Sequence, residues 1–137
     1  MLGFSNVQAG IAADLIRAGI EVHIFNQRSV EEILDFIGTL GRMIGAQQRA
    51  QELTGQLRSS IDEVRRAASR LPCRPSVYFD EWDEPLISGV RWVAELIAIA
   101  GGDDCFPELS LRHSAKERII HDPLEVVQRA PGVLIGS

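Results

Sequence analysis

From Ser29 to about Arg70 the chain contains no proline, and that stretch constrains what it can fold into more than any other feature. Apolar residues recur mostly three or four apart at Ile33, Phe36, Ile37, Leu40, Ile44, Leu53, Leu57, Ile61 and Val64. That spacing is helical. Ser29 is a good N-cap, and Glu31 and Glu32 stand in the first turn, where carboxylates suit the helix dipole. Ser29 with Glu32 three residues on also fits a capping box. Arg65, Arg66 and Arg70 lie near the far end, where cations are favoured. A helix of about forty residues would run roughly 60 Å at ~1.5 Å per residue. Gly38, Gly41 and Gly45 are weak points at which a bend or break is expected. A rod would separate two lobes, whereas a helical hairpin turning at Gly45 would belong to an ordinary α/β domain.

The flanks read as strand-helix-strand units. Val7, Ile11, Leu15 and Ala18 predict a helix over 7–18, and Gly19 stops it. Residues 20–25 (IEVHIF) read as a short strand. A parallel strand should precede that helix, and only Leu2 to Phe4 is available for one. Beyond Pro72 and Pro75, Ser76–Phe79 begins a second strand and Asp80–Pro85 reads as a loop. A helix is expected over Gly89–Ala100, closed by Gly101 and Gly102, then a short strand at 104–106. Asp122–Arg129 reads as a helix with Asp122 as N-cap and Pro123 at its first position, followed by a strand at 133–135. The organisation is therefore α/β, with β-α-β units at 1–28 and 72–137 flanking a long helix at 29–71. Both ends look cut from something longer.

With 137 residues the chain is one modest domain in size, and its net charge of −5 offers no basic face for nucleic acid. No apolar run is long enough to span a bilayer. The first residues lack the basic start, apolar core and cleavage site of a secretory leader. Cys73 and Cys105 have neither zinc nor redox spacing, and the expectation is that both are small buried residues, with a disulfide as the alternative. His23, His113 and His121 are scattered, and no GxSxG, P-loop or GxGxxG is present. No catalytic residue, metal ligand or cofactor is nominated.

The most unusual segment is FDEWDEPLISG, from Phe79 to Gly89. It follows the carboxyl end of a strand, where α/β sheets present ligand loops. Asp80, Glu81, Asp83 and Glu84 surround Trp82 there. The plain reading is a solvated acidic turn with Trp82 packed back on the core. The functional one is a ligand loop, and oxygen ligands of this kind also suit a hard cation. Trp92, in the following helix, faces either the same cleft or the core.

In order, these segments resemble the periplasmic binding proteins with a helical backbone, the ABC-importer receptors for cobalamin, haem and ferric siderophores. LGFSNVQAGIAADLIRAGIEVHIFNQRSVEEIL is similar to the end of that family's N-terminal lobe running into its linking helix. RPSVYFDEWDEPLISGVRWVAELIAIAGGDDCFPEL is similar to the opening of the C-terminal lobe, and HDPLEVVQRAPGVLIGS to the helix and strand that follow. The resemblance covers nearly the whole chain and marks the family better than the ligand. It implies a partial two-lobed binding protein without catalysis, which captures a corrinoid and delivers it to a membrane permease. A siderophore or haem receptor is the rival ligand reading. A metal-dependent enzyme built on the acidic loop 80–84 is the rival from another class, and an interaction module organised by the long helix is a third.

Within the cobalamin-binding members, the likeness places Phe4, with the adjoining Ser5, and Trp82 as aromatic-bearing cleft positions of the two lobes. Trp92 would add to the contact, with Glu81 and Asp83 at the rim. Glu125 falls near the position of a C-lobe glutamate that docks on permease arginines. The resemblance further implies a periplasmic or lipid-anchored extracellular setting for the full-length protein. Exposed sheet edges, if the chain folds alone, lead to an expected homodimer of the fragment.

Overall fold

The computed structural model describes residues 2–4 and 9–136. The chain forms two compact units, Met1–Thr54 and Gly55–Ser137.

In the first unit, β1 (Leu2–Phe4) pairs parallel with β2 (His23–Phe25), in register from Leu2 opposite His23 to Phe4 opposite Phe25. Helix α1 (Ala9–Arg17) connects them and buries Ala12. This is the β-α-β step expected from sequence. The strand β2 is shorter than the predicted 20–25 because Ile20 is taken up in closing the helix, its N–H bonding back to the Leu15 carbonyl at 3.0 Å.

The long helical stretch is two helices, α2 (Val30–Met43) and α3 (Gln47–Ala68). The capping box forms at the start of α2: the Glu32 N–H donates to Ser29 Oγ, and the Ser29 N–H to Glu32 Oε2, each at 3.2 Å. The interruption falls at Gly45, one of the three glycines expected to weaken the helix. Gly45 adopts φ +73°, a left-handed conformation that costs glycine little. Its N–H reaches the Arg42 carbonyl at 3.4 Å, and the Ala46 N–H reaches Gly41 at 2.7 Å. That pair of bonds is a Schellman closure, satisfying carbonyls the helix end would leave open. Gly41 is required for a different reason. A Cβ there would overlap the methyl group of Ala50 in the next helix.

The second unit is built around β3 (Ser76–Asp83). On one flank β3 pairs parallel with β5 (Asp103–Asp104) through its first residues and antiparallel with β4 (Leu86–Ser88) through its last. On the other flank it pairs parallel with β6 (Val133–Gly136), from Val77 opposite Val133 to Asp80 opposite Gly136. Successive strand residues face opposite sides of a sheet. Val77 and Phe79 accordingly meet Val90, Val93 and Ile97, the last two on α4 (Arg91–Ile99). Tyr78 faces the other way, into Cys105, Phe106 and Ile120. Leu109 of α5 (Pro107–Ser110) and Val126 of α6 (Leu124–Arg129) close that second cluster. Phe106 is completely buried, its ring edge-on to Tyr78 at 5.7 Å. Burial of a side chain this size stabilises by about 1.5–3 kcal/mol.

Three expectations are corrected. The predicted loop Asp80–Pro85 is mostly strand, forming a β-hairpin with β4. Acidic residues have low strand propensity, which hid it, and tertiary contacts described below override that propensity. Cys73 is exposed rather than buried, while Cys105 is buried with Sγ 3.0 Å from Ser76 Oγ; both thiols are free. The helix predicted from Gly89 begins two residues later, because Gly89 packs between Phe79 and Val93. Among the described residues, no helix is long and apolar enough to cross a membrane. Strand β6 is exposed along its length, with Leu134 at 69%, and pairs only with β3 among the described strands.

Candidate functional site

The β3–β4 hairpin holds the acidic segment at the carboxyl end of β3. Asp80 pairs with Gly136, the last described residue of β6, and beyond it Trp82 and Asp83 pair with β4. The register of the hairpin shifts between Asp80 and Trp82. Asp80 lies opposite Ser88 and Trp82 opposite Ile87, leaving Glu81 as the extra residue of a β-bulge.

Glu81 is held there by Arg118. The arginine ends a short 3-10 turn, Ala115–Arg118, and is only 4% exposed. Its Nη1 donates to Glu81 Oε2 at 2.6 Å and its Nη2 to Glu81 Oε1 at 3.0 Å, a two-pronged pair. Nη1 also donates to the carbonyl of Ser88 on β4. Its Nε is buried without a hydrogen-bond partner. Backbone contacts bring the same segment against the hairpin: Ile119 bridges Ile87, and the Ile120 N–H donates to the Leu86 carbonyl at 2.9 Å.

Trp82 itself is 61% exposed. Its indole N–H is bound to the Glu84 carbonyl at 2.9 Å, which fixes the ring edge and leaves ring surface open to solvent. Asp80 accepts a hydrogen bond from the Tyr78 hydroxyl at 3.0 Å, so this carboxylate is tied to the core. Asp83 and Glu84 are exposed around the hairpin turn. The predicted cluster Trp82, Glu81 and Asp83 is thus brought together on one hairpin, with Glu81 engaged internally.

The remaining predicted residues lie elsewhere. Trp92 is on α4, 36% exposed, and Glu125 is exposed in the first turn of α6. Phe4 ends β1 in the first unit, its backbone opposite Phe25, and Ser5 lies outside the described residues. Beside Phe25 in that unit, an open groove of about 260 Å³ runs along the start of α2, where the Phe25 and Phe36 rings pack 4.7 Å apart. Among the described residues, no three His, Cys, Asp or Glu side chains converge in a way that would hold a metal ion.

Arg118 escaped the sequence reading. The available signal was the spacing Ser114-x-x-Glu117, which forms a capping box here with the Ser114 N–H donating to Glu117 Oε2 at 3.0 Å. It marks a helical turn that ends on an arginine followed by two isoleucines, a position that inserts a charge beside apolar packing.

The family described as periplasmic binding protein matches residues 2–137. The chain belongs to that family. Comparison with curated proteins finds no significant match. Among solved structures, the periplasmic haem-binding protein RhuT from Roseiflexus sp. RS-1 superposes with a TM-score of 0.76 at 20% identity, over 98% of this chain and 52% of that one. An ABC transporter substrate-binding protein from Listeria monocytogenes EGD-e gives 0.75 at 18% identity, over 98% and 51%. The periplasmic vitamin B12 binding protein BtuF of Vibrio cholerae gives 0.73 at 16%, over 99% and 53%. At these identities the likeness establishes the fold, which is the partial binding-protein architecture expected. The chain spans about half the length of these three structures.

Proposed function

We propose that this chain is part of the substrate-binding component of an ABC importer, and that its ligand is a corrinoid. The observation that carries the reading is Trp82, an exposed indole held by its N–H on a hairpin at the carboxyl end of β3. A rigid aromatic face flanked by a few polar groups suits a large flat ligand. One structural neighbour is a vitamin B12 binding protein and another binds haem, so both ligands belong to the range the fold accommodates.

The charge around Trp82 favours the corrinoid. Glu81 is neutralised by Arg118, but Asp83 and Glu84 remain exposed beside the indole. Carboxylates accept hydrogen bonds from the amide groups at a corrin rim. They repel haem propionates and anionic siderophores. In this reading Phe4, Ser5 and Trp92 also contact ligand, Trp92 at the margin, and Glu125 belongs to the surface that meets the permease. The setting is periplasmic or extracellular, and a homodimer is proposed. No catalytic step is proposed, since Asp80 and Glu81 are committed to Tyr78 and Arg118.

The test is a fluorescence titration with cyanocobalamin, haemin and a ferric siderophore, corrected for inner-filter absorption. Saturable quenching by cyanocobalamin is expected. Trp82→Ala should weaken it by roughly 30-fold, the effect of losing an aromatic contact worth about 2 kcal/mol. Tighter binding of haemin would overturn the corrinoid assignment while leaving a receptor role.

A further inference from the structure

We infer that Arg118 is a positioning residue for Trp82, acting through Glu81 to fix the bulge from which the indole is presented. The inference rests on the ligand reading above for its functional meaning, but its structural content stands on the hairpin alone. Three observations converge on it.

The first is the seat of the hairpin: Ile119 bridges Ile87 and the Ile120 N–H donates to the Leu86 carbonyl, so β4 lies against the segment that carries Arg118. The second is the bulge. An extra residue in one strand interrupts side-chain alternation and bends the strand, and here Trp82 is the residue immediately after it. The third is the geometry of the tie. Arg118 grips both carboxylate oxygens of Glu81 from one strand and the Ser88 carbonyl from the other, spanning the hairpin from side to side. A planar fork is needed for that grip, and an ammonium group cannot reproduce it. The guanidinium is almost wholly buried and its Nε has no partner, so its anchorage is concentrated in the two terminal nitrogens.

The test uses Trp92→Phe as the background, which leaves Trp82 as the only tryptophan. Anisotropy and acrylamide quenching of Trp82 are measured in that background without ligand, and cyanocobalamin is titrated into the same variants with Trp92 restored. In Arg118→Lys and Glu81→Gln, anisotropy should fall and quenching rise while far-ultraviolet circular dichroism is kept. The affinity for cyanocobalamin should drop about tenfold. Unchanged anisotropy and quenching in a folded Arg118→Lys chain would overturn the proposal, because the pair would then serve stability only. Should Glu81→Gln fail to fold, Arg118→Lys decides, since it keeps the charge and removes only the fork. Absence of cyanocobalamin binding by the chain with Trp92 intact would sink the ligand reading, and the ligand-free measurements would still decide the positioning role.

Discussion

The guanidinium of Arg129 lies 4.0 Å from the centre of the Phe106 ring and joins α6 to the buried heart of the second unit. Its Nη1 donates to the Cys105 carbonyl at 2.5 Å and its Nη2 to Glu108 at 2.6 Å. One side chain thus stacks on the most buried residue and hydrogen-bonds on either side of it.

Arg129→Met keeps the aliphatic stem and removes the charge. It should cost about 2 kcal/mol, combining a cation–π contact of about 0.5–2 with the lost hydrogen bonds. The hydrogen bond from Arg129 holds the Glu108 carboxyl below its usual range. Stability from a lowered carboxylate is present above the unfolded pKa and is lost as pH falls through the folded one. Denaturant unfolding should therefore show the gap between wild type and variant narrowing in acid. Glu108 is half exposed, so that narrowing is small. A gap that widens in acid would contradict the assignment.

Asp104 has the opposite sign. Burial pushes its carboxyl up, outweighing the Phe106 N–H that it accepts at 3.1 Å. The folded state then holds the proton more tightly than the unfolded chain, so the group opposes folding at neutral pH and ceases to do so as pH falls through its raised value. Asp104→Asn keeps the carbonyl acceptor and removes the charge. Its Tm should exceed that of wild type at about pH 7 and converge on it near pH 4. A lower Tm at both values would show that the ionised form is needed.

Tyr78 is the only tyrosine, which makes its ionisation directly visible. Burial, with a hydrogen bond to Asp80 and that carboxylate's charge, pushes the phenol far above its usual range. The folded state keeps the proton where the unfolded chain gives it up, so this contribution is full below about pH 10 and lost as pH rises beyond it. Phenolate absorbance should appear together with loss of circular dichroism. Ionisation in a fully folded chain would disprove the burial argument.

Two glycines in α2 should respond oppositely to alanine. Gly38→Ala adds a methyl group whose nearest neighbour is the tip of Arg42 at 3.6 Å, and should gain about 0.5–1 kcal/mol from helix propensity. Gly41→Ala drives a methyl into Ala50 and should lose about 1–3 kcal/mol. Thermal unfolding of the two variants measures the contrast directly. Equal effects would mean that the approach of Gly41 to Ala50 is not tight.

What was legible in the sequence was whatever depends on neighbours along the chain. Ser29 with Glu32 announced the start of α2. Gly45 and Gly101 announced helix ends, because a left-handed residue is a local demand. The helix expected from Asp122 begins at Leu124 with Pro123 as its N-cap, and Asp122, one residue earlier, accepts from the Leu124 N–H at 2.9 Å. The hairpin did not show, since Asp80–Asp83 become strand only through pairing with β4 and the buried charge of Arg118, which lies 37 residues from Glu81. Trp82 was singled out by composition, but the bulge that presents it depends on that distant arginine. No spacing rule connects residues so far apart.

Strand β6 has a practical consequence for handling the protein. Val133, Leu134 and Ile135 are all exposed, and among the described strands β3 alone satisfies their backbone. A side chain that points to solvent from a strand paired through its backbone can be exchanged, so Leu134→Lys offers an attachment point for a label and should leave circular dichroism and the Trp82 hairpin on the opposite flank of β3 unchanged.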